Sequence, residues 1–248
     1  MKVVYILTLV FLIVSCKDKV RTALSAQEIV DKSISVSGGE QYRTNDVFYK
    51  FRDYQYVSEW KDGDRILKRI RLTDSTKVVD VKGSRGFNRF VNDSIVPLKD
   101  SIANLYANSV NSVHYFAYLP YGLNDPAVNK ELLGEVTLRG KDYYKVKVTF
   151  DQKGGGKDYE DIYLYWFNKE TFKPDYLGYK FYVDGGGMRF RVAYNERYLG
   201  GIRFVDYENY EASVRDSEFY DVDVLYDRNK LKLLSKIELE DISVEPSN

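Results

Sequence analysis

The sequence predicts a mainly β fold with a few helices (α+β). The form expected is a large curved antiparallel sheet or half-open barrel of about 11–12 strands, with an N-terminal helix and a mid-chain helix packing on its concave side. Three observations lead there. Short runs of alternating apolar and polar residues follow one another with mostly tight turns between them. Only two stretches carry helical spacing, so helices cannot alternate with strands as parallel βαβ units require. The chain of 248 residues also carries 23 Tyr, whose ring suits a sheet face that is apolar beneath and wet at the hydroxyl.

At the amino terminus, Lys2 is followed by an apolar run from Val3 to Val14, then Ser15 and the single cysteine, Cys16. Twelve helical residues span about 18 Å, too short for a hydrocarbon core of about 30 Å but suited to a secretory signal. Ile13-Val14-Ser15-Cys16 resembles the bacterial lipobox. That resemblance implies cleavage after Ser15 and an acylated Cys16 that holds the protein on a membrane. The resulting division is 1–15 signal peptide, 16–24 lipidated Cys and short tether, 25–244 a β-rich domain and 245–248 a C-terminal tail. The implied location is the cell envelope, as an outer-membrane lipoprotein facing the periplasm.

The folded part opens with Ser25-Ala26-Gln27-Glu28, a capping-box spacing, and Ala26, Ile29, Val30, Ser33 and Ile34 continue at helical intervals to Gly38-Gly39. Strand patterns then occupy Val47 to Val57, Arg65 to Leu72, Thr76 to Val81, Gly86 to Val91 and Ser94 to Leu98. Asp100 can cap a helix from Ser101 to about Tyr118, presenting Ile102, Leu105, Tyr106, Ser109, Val113, Phe116 and Ala117 on one face. It runs into a loop held out of helical geometry by Pro120 and Pro126. Strands are expected again at 135–139, 143–150, 159–167, 175–183, 188–194, 202–210, 219–226 and 234–242. Gly185-Gly186-Gly187 joins two aromatic strands, so it reads as a hairpin connection rather than a phosphate loop.

Composition removes several functions. With 37 basic against 37 acidic residues the chain lacks the cationic excess that nucleic acid requires. One Cys and one His cannot build a Cys/His zinc site, a disulfide framework or an iron–sulfur centre, so no cofactor is expected.

Four segments carry a resemblance: Asn111 to Phe116, Leu119 to Pro126, Asp161 to Trp166 and Gly185 to Arg191. They resemble the recurring motifs of an uncharacterised lipoprotein family of Bacteroidota, over nearly the whole mature chain. That family brings no catalytic residues. More loosely, the order of helix, long meander and inserted helix is similar to the LolA/LolB lipoprotein-carrier fold, which implies an open half-barrel with a lid. Fold alone does not fix function.

Candidate ligand-binding residues are His114, Tyr115, Tyr118 and Tyr121 around the mid-chain helix and loop, Trp166 in an aromatic strand, and Arg189 and Arg191, which share a strand face and can pair with a lipid headgroup. A lipid or other hydrophobic ligand in the concave face is the leading reading. A glycan- or protein-interaction surface built from exposed aromatics is the alternative. A hydrolase would need two carboxylates, from Asp158, Glu160 and Asp161 or from Asp221 and Asp223, or His114 with a hydroxyl, converging in one pocket. No Gly-x-Ser-x-Gly elbow is present, and catalytic residues are expected to be absent.

Overall fold

The computed structural model describes residues 23–156, 159–182, 185–211 and 216–247. The signal-peptide segment, Cys16, the tether through residue 22 and Asp158 lie outside them. Among the described residues no helix is long and apolar enough to cross a membrane.

Helix α1 (Ala26–Ser37) begins as its sequence dictates. The Glu28 amide donates to Ser25 Oγ at 3.2 Å and the Ser25 amide donates to Glu28 Oε2 at 2.8 Å, so two otherwise unpaired amides are satisfied. Ala26, Ile29, Val30 and Ser33 form its buried stripe. A short helix α2 (Gln41–Thr44) leads into the first sheet.

That sheet contains β1 (Asn45–Phe51), β2 (Tyr54–Lys61), β3 (Asp64–Leu72), β4 (Lys77–Gly83), β5 (Gly86–Val91) and β6 (Ser94–Val96) as a meander. Helix α3 (Asp100–Ala117) and a short 3₁₀ turn (Tyr121–Asn124) then cross to the second sheet. The second sheet runs β7 (Val128–Leu138), β8 (Lys141–Phe150), β9 (Ile162–Asn168), β10 (Pro174–Phe181), β11 (Gly187–Leu199) and β12 (Ile202–Glu211). Helix α4 (Val222–Asp227) precedes β13 (Lys232–Ile237), which adds to β12, and β14 (Glu240–Pro246), which adds to β1. Two seven-stranded antiparallel sheets result, ordered β14-β1-β2-β3-β4-β5-β6 and β13-β12-β11-β10-β9-β8-β7. Only Glu238 and Leu239 separate β13 from β14, so the chain steps from one sheet to the other there, and the pair stays open at β6 and β7 instead of closing into a barrel.

The sequence expectation of a mainly β, half-open antiparallel fold holds, and four local readings are corrected. Val47 to Val57 is two strands, because Arg52 adopts φ 54° and reverses the chain without glycine or proline. Leu234 to Ile242 is divided between β13 and β14. Phe219 to Tyr226 is helical: Phe219 and Val222, three apart, are buried together, and Asp223 is buried beside them. β14 also continues through Glu245 and Pro246, which pair with Asp46 and Asn45, where the sequence suggested a tail.

Three apolar clusters hold these layers. One joins the sheets through Tyr42, Tyr49, Tyr56, Phe204 and Tyr207 with the end of α3. A second packs Ile29 and Val30 of α1 on Val146, Val148, Tyr165 and Phe167. The third covers the other face of the second sheet, where Phe219 and Val222 meet Leu164, Trp166 and Phe190. Tyr supplies much of the inner paving as cross-strand stacks, with Tyr49 and Tyr56 at 5.4 Å and Tyr163 and Tyr179 at 5.7 Å between ring centroids.

Candidate functional site

Helix α3 crosses the concave side and leaves a cleft of about 320 Å³ against the second sheet. Strand register determines its floor. Tyr165 pairs with Leu177 and Leu177 with Arg191, while Tyr163 pairs with Tyr179, so these five side chains share one face. Tyr115 and Phe116 enter from α3, Leu119 and Val128 close one end, and Asn108, Asn111 and Ser112 supply a polar margin from the preceding turns of the helix. Phe150 and Tyr163 meet Tyr115 edge-on at 6.2 and 6.5 Å. Gly122 lets this wall form: a Cβ there would lie 3.0 Å from the Tyr115 ring.

Within this aromatic enclosure, three polar atoms are buried without a regular hydrogen bond among the described residues: Tyr115 Oη, Tyr165 Oη and Arg191 Nε. The two phenols lie against each other, Tyr165 donating toward Tyr115 in a loose mutual contact that falls short of regular hydrogen-bond geometry. Burial pushes both phenols well above the ordinary tyrosine range, so both remain protonated donors. The Arg191 guanidinium donates to Tyr179 Oη at 3.1 Å and stacks over Phe116 and Tyr179. Among the described lining residues Asp125 is the one carboxylate; its burial raises its pKa, an effect opposed by Arg65, Lys82 and Lys130.

The other candidate residues have different positions. His114 is buried between α3 and the first sheet, its Nδ1 3.1 Å from Tyr49 Oη and its Nε2 3.1 Å from the Lys68 carbonyl. A carbonyl only accepts, so the proton is on Nε2 and Nδ1 accepts from Tyr49. Desolvation lowers its pKa to about 3, leaving a neutral imidazole that ties α3 to β1 and β3. Tyr118 and Tyr121 pack with Tyr42 in the inter-sheet core, and Arg65 covers both rings. Trp166 points to the opposite face of its sheet, where its Nε1 donates to Asp223 at 2.9 Å and Lys145 pairs with the same carboxylate at 3.0 Å. Arg189 turns back to the Met188 carbonyl and the Phe181 ring. The cleft therefore brings together Tyr115 and Arg191 of the predicted set, and adds Tyr163, Tyr165 and Tyr179. The added residues carry a legible signal, since 163 and 165 are two apart on a strand and must face the same way.

Among the described residues, carboxylates do not converge here as a hydrolytic pair: Glu160 is exposed, Asp161 is buried and engaged, and Asp223, on α4, bonds Trp166 on the other face of the sheet. A second hollow of about 400 Å³ opens between α3 and the first sheet. Its Asp80 accepts from Arg69 at 2.6 Å and from Arg89 at 2.6 Å, and Arg69 also donates to Ser109 of α3 at 2.6 Å. These bonds make a self-paired network that clasps the helix.

No curated protein matches the chain. Among solved structures, it is similar to a LolA superfamily protein from Nitrosomonas europaea, with 13% identity, 91% of this chain and 94% of that chain covered, and a TM-score of 0.49. It is also similar to a DUF1329 family protein from Desulfovibrio piger, with 14% identity, 88% and 92% coverage, and a TM-score of 0.49. A family model matches residues 2–239, nearly the whole sequence, and the chain accordingly belongs to DUF6503, a family of unknown function.

Proposed function

We propose that the protein is a membrane-anchored cell-envelope lipoprotein that binds a lipid or other hydrophobic ligand between α3 and the second sheet. The observation that carries this reading is the cleft itself. It is a preformed cavity of about 320 Å³ with Phe116, Leu119, Phe150, Leu177 and four tyrosine rings in its wall, at the small end of ligand-site sizes. Each methylene moved from water into such a wall contributes about 0.8 kcal/mol, so even a short chain gains several kcal/mol.

Anchoring rests on the sequence around Cys16: the short apolar run, the branched and small residues before the thiol, and a chain otherwise free of cysteine. Residues 1–15 act as the signal, Cys16 as the acylated residue and the following segment as a tether. The body is placed at the periplasmic face of the outer membrane. The test is native mass spectrometry with lipid extraction of the purified, untagged protein. A lipid that co-purifies in constant ratio is the expected result, and its absence from several independent preparations overturns the binding reading.

A further inference from the structure

We propose that the ligand of this cleft is an acidic amphiphile, an apolar chain ending in a carboxylate or phosphate, whose head bonds to Arg191 Nε and the Tyr115 and Tyr165 hydroxyls. The inference rests on the hydrophobic-ligand reading above and specifies the other end of the molecule.

Two arginines at corresponding inner positions, Arg69 of the first sheet and Arg191 of the second, differ in their partners. In the first sheet, the register Arg69–Asp80–Arg89 places a carboxylate between two guanidiniums, and Asp80 bonds to both. In the second sheet, Arg191 lies between Leu177 and Asn209, neither of which carries charge. Among the described residues its partners are the Tyr179 hydroxyl and the faces of Phe116 and Tyr179, all neutral. A guanidinium drawn into an apolar wall is costly unless an anion meets it. Its buried Nε still has a hydrogen to donate.

The two phenols point to the same chemistry. A buried, unsatisfied hydroxyl costs about 1–3 kcal/mol, and two of them share the Arg191 cleft. Arg191 Nε and Tyr115 Oη each have a proton to offer, and the Tyr165 hydroxyl, held only loosely toward Tyr115, can turn to donate a second, so the molecule that satisfies them supplies acceptor lone pairs. An alcohol head has one oxygen and no charge. A carboxylate has two oxygens with about four acceptor sites, and charge-assisted bonds to it are roughly twice as strong as neutral ones. The chain of such a ligand lies along Leu119, Val128 and Leu177. Asp125, the carboxylate in the wall, works against an anion; it is offset by Arg65, Lys82 and Lys130, whose fields reach it.

Isothermal titration calorimetry on the full chain held in amphipol tests this with decanoate, decan-1-ol and acetate, on the native protein and on Arg191→Met and Tyr165→Phe. Decanoate is expected to bind at least tenfold more tightly than decan-1-ol, with acetate undetectable. Arg191→Met should bring decanoate down to the affinity of decan-1-ol. Tyr165→Phe, which keeps the ring and removes one donor, should weaken decanoate several-fold with an unchanged circular dichroism spectrum. Equal binding of decanoate and decan-1-ol to the native chain, or a preference that survives Arg191→Met, overturns the acidic-head assignment while leaving the hydrophobic-ligand reading intact. Acetate binding as well as decanoate shows a simple anion site and overturns the amphiphile. Binding of none of the three overturns the hydrophobic-ligand reading and this inference with it.

Discussion

His114 makes the stability of this fold dependent on pH in a calculable way. Its imidazole titrates near 6.5 when free and near 3 in the folded chain, because burial excludes the charged form. Between those values the unfolded chain binds one proton more than the folded chain, so stability rises with pH there. The contribution is whole above pH 6.5, is lost as pH falls through the window, and stops changing below about pH 3. At about 1.4 kcal/mol per pH unit, lowering the pH from 6.5 to 4.5 removes about 2–3 kcal/mol through this one residue. Carboxylates titrate over the same range, so the native curve alone does not isolate the histidine.

His114→Gln removes the titrating group while keeping an amide able to donate toward the Lys68 carbonyl. Urea unfolding at pH 6.5 and 4.5 should show the variant less stable at pH 6.5 by about 1–3 kcal/mol, the cost of disturbing a buried hydrogen-bonded pair. The gap should narrow at pH 4.5 by about the amount calculated for protonation. A gap that stays constant across the two pH values refutes the buried neutral imidazole, and with it the latch between α3 and the first sheet.

Three further outcomes follow from the same geometry and sequence. Asp223→Ala leaves Lys145 buried without its carboxylate and the Trp166 indole without its acceptor; it should destabilise by about 3–5 kcal/mol in urea titration, whereas loss of the exposed Glu160 carboxylate should be nearly neutral. Ser25→Ala removes the hydroxyl half of the capping box; about 1 kcal/mol is expected, read as a melting point lower by roughly 2–4 °C. Cys16→Ser should abolish incorporation of labelled fatty acid and release the protein from the membrane fraction, and retained labelling would refute the anchor.

How far the sequence reached can be followed through single elements. The Ser25–Glu28 box and the stripe of Ala26, Ile29 and Val30 reported α1 accurately because capping and periodicity are local. The Gly185–Gly187 connection likewise has positive φ at Gly185 and Gly186, 87° and 73°, as a hairpin of glycines should. The Arg52-Asp53 reversal is hard to read from sequence, since Asp53 is a turn former but stands without a glycine or proline, and the positive φ falls on Arg52, a residue type that rarely adopts it. Val222, Val224 and Tyr226 alternate as a strand would, yet Phe219 and Val222 also satisfy helical spacing. The burial of Asp223 against Lys145 and Trp166 accompanies the helical conformation. Trp166 and Tyr165 illustrate the limit for the site: adjacent on β9, they face opposite sides of the sheet, and sequence does not say which side is concave.

The sequence by itself determined the fold class, the start of α1, the strand-rich order and the candidate anchor at Cys16, all of which depend on neighbours within a few positions. Only the tertiary structure decided which tyrosines face the cleft, that Arg191 and not Arg189 enters it, and that His114 is a buried tie. Those outcomes depend on the register of β9, β10 and β11 and on where α3 crosses them. Both are determined by contacts between residues tens of positions apart, where no local pattern carries the information.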